Sequence, residues 1–229
     1  MMYELLMRET TLHRHVAGVP NVLTLHAVFE SSNYMYLVLD YCPGGTLYDH
    51  IMNGAFEQNN ELIRKVFLQI LNGVHACHEE GVFHRDLKPE NILCTRDGSA
   101  VYVADFGLAT DELVSEEFGC GSPSWMSPVQ CADLSRLECI GFGFSYAPYS
   151  SRQSDVWALG VILINMIASC FPWGNAVVED AGFKAFLDDP HSLYDRMPIS
   201  HGLCEILERV FDVNPSERMT IPELRRAVA

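Results

Sequence analysis

The chain has 229 residues, 48% of them apolar and 20% charged, which is enough for a sizeable buried core and excludes a disordered or collagen-like polypeptide. Thirty Asp and Glu against fifteen Lys and Arg leave a net charge of -15, which repels the phosphate backbone of DNA or RNA and speaks against a nucleic-acid partner. The eight cysteines show no CxxC pair and no zinc-finger spacing with histidine, the pattern of reduced, mostly buried thiols. Glu4, Arg8 and Glu9 stand where a secretion signal needs an apolar run, so the expected location is the cytoplasm or the nucleus.

In chain order, Leu5, Leu6, Leu12 and Val16 recur near helical spacing until Gly18 and Pro20 stop the pattern, which predicts a first helix. Val22 to Glu30 and Tyr34 to Tyr41 read as two antiparallel strands joined by the turn cluster Ser31-Ser32-Asn33. Pro43-Gly44-Gly45 breaks the chain and marks a domain boundary. Beyond it the pattern is predominantly helical, most clearly from Glu61 to His78, where Leu62, Val66, Ile70 and Val74 share a face. Ile92 to Cys94 and Val101 to Ala104 flank Asp97-Gly98 as a tight hairpin. From Asp105 to Ser154 periodicity is low, and a connection that long inside a domain is usually functional. Helical patterns return for Asp155 to Ser169, His201 to Val213 and Ile221 to the end. Val156 to Trp173 carries no charge over eighteen residues, borderline for a membrane span. Asn165 inside it and Pro172 near its end favour a core helix, with no membrane.

His84-Arg85-Asp86-Leu87-Lys88-Pro89-Glu90-Asn91, followed by Asp105-Phe106-Gly107, resembles the catalytic and metal-binding loops of eukaryotic protein kinases. That chemistry needs two oxygen ligands for Mg²⁺, a carboxylate beside the incoming hydroxyl and an ammonium on the transferring phosphate. The resemblance implies that Asn91 and Asp105 hold Mg²⁺, that Asp86 receives the substrate hydroxyl and that Lys88 neutralises the phosphate of ATP. It extends further: Glu9 resembles the helix-C glutamate, Leu37 the gatekeeper, Asp40 to Cys42 the hinge and Leu93 the floor of the adenine site. Asp155 resembles the aspartate that braces the catalytic loop, and Arg218 the late arginine of the last helices. Lys88 and Ser122 point to serine/threonine specificity with protein substrates, and the wording around Leu37 and Cys120 is similar to fungal kinases of nutrient and meiosis control. The implied fold is α+β, with residues 1–41 as the remnant of a small lobe. Residues 42–229 form a mainly helical large lobe with an insertion over 131–154.

Several departures bear on activity. Eight residues precede Glu9, none of them Lys and none forming GxGxxG, so the resemblance implies an N-terminally truncated domain with negligible phosphotransfer. Gly141 to Phe144 imitates a glycine-rich loop in part and reads as an ordinary loop. Val129 stands where the family has the glutamate that pairs with Arg218, leaving Gln130 or Glu138 as substitutes. Arg85 is, by resemblance, the residue that binds a phosphate on the activation segment. Thr110, Ser115 and Ser124 are the candidate hydroxyls, and Asp111, Glu112, Glu116 and Glu117 the carboxylates able to replace the phosphate. Thr46 and Asn165 occupy positions where basic-directed kinases present carboxylates, leaving only Glu90, so strong arginine selection is not expected. The histidines form no HExxH, and His13 is expected to pack inward. A catalytically inactive pseudokinase or interaction module remains the alternative reading.

Overall fold

The computed structural model describes residues 2–131 and 148–229. Helix α1 (Met2–Val16) carries Glu4 in its first turn and His13, Arg14 and His15 in its last, the arrangement that suits the helix dipole. Strands β1 (Leu25–Glu30) and β2 (Met35–Leu39) pair antiparallel, with Val28 opposite Leu37 and Glu30 opposite Met35. Gly44 then runs so close to the next layer that a Cβ there would lie 2.0 Å from the Thr95 carbonyl oxygen, which only glycine permits. Helix α2 (Leu47–Met52) starts from a reciprocal cap: Asp49 N–H donates to Thr46 Oγ1 at 3.2 Å and Thr46 N–H to Asp49 Oδ2 at 2.8 Å.

Helix α3 (Asn60–Glu79) buries Ile63, Val66, Phe67, Ile70 and Val74. The hairpin of β3 (Ile92–Cys94) and β4 (Val101–Val103) turns through Gly98 at φ 66°. Strands β5 (Val114–Ser115) and β6 (Tyr149–Ser150) form a third two-stranded pair. Helices α4 (Ser151–Ala168), α5 (Ala181–Asp188), α6 (Ser192–Arg196), α7 (His201–Val210) and α8 (Ile221–Val228) complete the chain. The architecture is α+β, with three small antiparallel pairs set among helices.

Several boundaries differ from the sequence expectation, two of them for a visible local reason. The first strand starts at Leu25 rather than Val22 because its leading residues bond elsewhere: Leu23 N–H donates to the Val103 carbonyl at 2.9 Å, and Val103 N–H to that of Asn21 at 2.8 Å. The second strand ends at Leu39, and Tyr41 lies exposed beyond it. Helix α4 begins four residues before Asp155, because Ser150 Oγ accepts the Gln153 N–H and caps it there. Helix α7 stops at Val210 rather than Val213. The cysteines at 42, 77, 94, 120, 131, 170 and 204 are free thiols. The part of the expected insertion that holds Glu138, Cys139 and Gly141 to Phe144 lies outside the described residues.

The charge-free run becomes a helix buried nearly all round, from Ser154 to Asn165. Trp157 packs against Trp173, Phe183 and Phe211, with ring centroids 5.0–6.1 Å apart. Gly160 brings α4 hard against α7: a Cβ there would stand 2.6 Å from Val210 Cγ1 and 2.8 Å from the Phe211 ring. Among the described residues no helix is long and apolar enough to cross a membrane.

Candidate active site

Helix α3, the hairpin β3–β4 and helix α4 converge on the loop from His84 to Asn91. Its backbone is fixed by one carboxylate: Asp155, 1% exposed on α4, accepts the N–H groups of His84 (2.9 Å) and Arg85 (2.8 Å) and faces His78 Nε2 at 2.8 Å. These bonds hold Arg85 at φ 63°, a left-handed conformation that costs a non-glycine residue of order 1 kcal/mol or more. The His84 ring is fixed as well, because Nδ1 accepts the Asp86 N–H at 3.3 Å and Nε2 therefore donates to the Ala104 carbonyl at 2.9 Å. His78 escaped the sequence reading, since its partner lies 77 residues away and nothing local signals it.

The loop gathers the residues expected to do chemistry. Lys88 Nζ donates to Asp86 Oδ2 and to Ser122 Oγ, both at 2.8 Å. Asn91 Nδ2 donates to the Asp86 carbonyl at 2.9 Å and to Asp86 Oδ2 at 3.2 Å. Asp86 Oδ1 is buried and has no hydrogen-bond partner among the described residues. With Oδ2 held by two donors, Oδ1 is the oxygen left to accept an O–H, and in this conformation it is closed off from solvent.

Asp105 sits at φ 63° with its Oδ1 accepting the Gly107 N–H at 3.3 Å. Ala104 N–H donates to the Asn91 carbonyl at 2.9 Å, which brings the chain at Asp105 alongside Asn91. The Asn91 amide spends its N–H₂ on Asp86, leaving its carbonyl oxygen without a hydrogen bond among the described residues. An amide oxygen beside a carboxylate is the donor set a Mg²⁺ ion takes, so these two side chains fit that ion. Phe106 is fully buried between His13 of α1 (centroids 4.7 Å) and His84 (5.1 Å). His13 points inward as expected, 2% exposed, its Nε2 on the Leu23 carbonyl at 2.7 Å. Burial pushes its pKa below the usual histidine value. Glu9 approaches the same place, its Oε2 close enough that a Cβ on Gly107 would lie 3.7 Å away. Burial, and then the charge of Asp105, raise the Glu9 pKa. Among the described residues no cation pairs with Glu9. Leu37 and Leu93 are half-buried on β2 and β3, Cys42 is half-buried, and Asp40 is exposed and bonded to His26 Nε2 at 2.6 Å.

The sequence matches the protein kinase domain family over residues 1–228. This chain is a protein kinase domain. It is 40% identical over 97% of its length to a Schizosaccharomyces pombe protein described as a negative regulator of sexual conjugation and meiosis. The Serine/threonine-protein kinase ksp1 of the same yeast is 36% identical, and Serine/threonine-protein kinase VHS1 of Saccharomyces cerevisiae 34%, each over 97% of the chain. The matches cover 50%, 46% and 49% of those relatives, so the chain spans about half the length of the curated relatives it matches.

Beside the loop from His84 to Asn91, the Arg85 guanidinium is buried and engaged through Nη1 and Nε. Nη1 donates to Glu117 Oε2 at 2.7 Å and to Ser115 Oγ at 3.1 Å, and Nε to the Leu108 carbonyl at 2.8 Å. The other Glu117 oxygen lies 3.8 Å from Arg8 of α1, and Tyr149 O–H donates to the Glu117 carbonyl at 2.8 Å. The Arg85 hydrogen bond is the main influence that holds the Glu117 carboxyl below its ordinary pKa. Of the hydroxyls expected to accept phosphate, Thr110 and Ser115 are fully buried. Thr110 is locked by backbone bonds to Phe83, and Ser115 already serves Arg85, so another kinase has no access to them in this conformation. Ser122 and Ser124 are half-buried.

Arg218 is buried over the Trp157 ring at 5.0 Å, with Nη1 on the Gln153 carbonyl (2.7 Å) and Nε on that of Asp212 (3.0 Å). Nη2 is unpartnered, and Arg218 has no ion pair among the described residues. Gln130 does not substitute: its Oε1 accepts the Ser127 N–H at 2.9 Å and the Ser127 O–H at 3.1 Å. Glu138, the other substitute expected, lies outside the described residues.

Proposed function

We propose that the domain transfers the γ-phosphate of ATP to serine and threonine hydroxyls of protein substrates, with Asn91 and Asp105 holding Mg²⁺. The observation that carries this reading is the divided Asp86 carboxylate, Oδ2 held by Lys88 and Asn91 and Oδ1 buried without a partner. In this reading Oδ1 orients the substrate hydroxyl and takes its proton, while Lys88 and Ser122 stand where the transferring phosphate arrives. The bound metal neutralises phosphate charge. Catalysis of this kind is mostly positioning and electrostatics. Glu9, Leu37, Asp40, Cys42 and Leu93 line the nucleotide side in this reading, with the lobes divided between residues 41 and 42, and the protein works in the cytoplasm or nucleus.

The 229 residues alone carry no glycine-rich loop or lysine ahead of Glu9, and among the described residues no cation pairs with Glu9, whose pKa is raised by burial and then by Asp105. The expected result is negligible transfer by this polypeptide by itself. The test is a transfer assay on the protein purified from its own cells with serine, threonine and tyrosine peptides. Activity on serine and threonine, reduced at least ~100-fold by Asp86→Asn, supports the reading, whereas transfer unaffected by that change overturns it. A silent interaction module is favoured by one observation, the unpaired Arg218, and is the outcome if the purified protein binds ATP without transferring phosphate.

A further inference from the structure

Away from the catalytic loop, three side chains of metal-ligating type converge where α6 meets α7. His191 occupies the N-cap of α6, and Cys204 and Glu208 lie one turn apart on α7. His191 Nδ1 is 3.1 Å from Glu208 Oε1, Cys204 Sγ is 3.5 Å from the same oxygen, and Sγ to Nδ1 is 3.9 Å. We propose that His191, Cys204 and Glu208 form a binding site for a transition-metal ion of the Zn²⁺ class.

The geometry carries the assignment. Zn²⁺ binds nitrogen and oxygen at about 2.0–2.2 Å and sulfur at about 2.3 Å, so tetrahedral ligands stand about 3.3 Å apart, or about 3.6 Å when one is sulfur. The three observed separations lie within ~0.4 Å of those edges. Two elements supply the ligands, so the ion ties the start of α6 to α7. Water supplies the fourth ligand, since His201 on the same helix has its Nδ1 3.3 Å from Glu205 Oε1. Thiolate and carboxylate together balance a divalent charge. Thiolate with imidazole selects zinc-like ions over Mg²⁺, which prefers oxygen.

Without metal, the three groups form a small hydrogen-bonded network in which the Cys204 S–H and the His191 ring point at Glu208. Burial and the neighbouring Glu208 push the thiol pKa up to about 11, so the sulfur carries its proton at neutral pH. On binding, the S–H proton leaves to solvent, the His191 proton moves to Nε2 to free the Nδ1 lone pair, and three coordinate bonds replace the network. No redox partner is involved.

The test is titration of the purified chain with Co²⁺, whose tetrahedral thiolate complexes show a sulfur-to-metal charge-transfer band that oxygen-bound Co²⁺ lacks. The expected result is one such band saturating at one equivalent, bleached by Zn²⁺ and unaffected by excess Mg²⁺. Cys204→Ser and His191→Ala should abolish it, and Cys170→Ser should leave it intact. Should a variant fail to fold, Zn²⁺ raising the melting temperature of the unmodified chain, reversed by chelator, provides the second measurement. No thiolate band together with no zinc-dependent melting shift, or a band that survives Cys204→Ser, overturns the proposal. Failure here leaves the kinase reading untouched, since the two sites share no residue.

Discussion

At the scale of single residues, the carboxylate of Glu117 holds the buried Arg85 guanidinium at 2.7 Å, the kind of pairing a phosphorylated side chain also makes with arginine. It also faces Arg8, so one side chain links α1, the catalytic loop and the segment beyond Asp105. Removing it strands a buried guanidinium. The cost of a fully buried pair is discounted because Glu117 is half exposed, leaving about 1–3 kcal/mol. Glu117→Gln should therefore lower the melting temperature and cut transfer by the complete protein ~10-fold or more, whereas Glu116→Gln should change neither. Because the Glu117 pKa is depressed in the fold, its contribution is complete above the ordinary glutamate value of 4.5 and is lost only as pH falls through the lower, folded value. Activity between pH 6 and 8 should thus be independent of Glu117 titration. Arg218 supports a second expectation: Val129→Glu, by offering the unpartnered guanidinium a carboxylate, should raise stability by about 1–3 kcal/mol, read as a higher melting temperature. The residues of the catalytic loop were legible because an eight-residue motif fixes their identities in order. The burial of Thr110 and Ser115 was not, since it depends on packing against Phe83 and Arg85, which are distant in sequence.

At the scale of elements, α1 is docked through His13, whose ring lies against Phe106 and whose Nε2 meets the Leu23 carbonyl. Its depressed pKa fixes the direction of a pH effect. Stability from this histidine is complete above the unfolded value of about 6.5, declines as pH falls below it, and levels off once the folded ring is also protonated. The melting temperature of the natural chain should therefore fall more steeply from pH 7 to 5 than that of His13→Phe. At the α4–α7 crossing, Gly160→Ala forces a methyl into Val210 and Phe211 and should cost about 1–3 kcal/mol, measured by denaturant unfolding. Helices α1, α3, α7 and α8 and the β3–β4 hairpin were readable because long periodic runs or a turn dipeptide announce them. Helices α2 and α6 span six and five residues, too short for periodicity to register, and α5, which is as long as α8, was not read from the sequence either. The cap Thr46-x-x-Asp49 is the local sequence signal that marks the start of α2.

At the scale of the whole molecule, the α+β class followed from the resemblance and the burial of the charge-free run from its pattern, while the Asp155 bonds that fix the loop backbone join segments 70 or more residues apart. Helix α4 is the common support: it carries Asp155 to the catalytic loop and Trp157 to the aromatic core and to Arg218. The three tryptophans are divided in a useful way. Trp157 and Trp173 are locked in the ring cluster of the helical core, whereas Trp125 sits half-buried beside the activation segment, its ring edge-on to Phe171 at 4.8 Å. The molecule thus contains its own pair of fluorescent channels. The expected outcome is that emission from position 125 changes with local rearrangement around Ser122 and Ser124, while emission from the buried pair holds until the helical core melts. Replacing Trp125 by Phe separates the two signals without a dye.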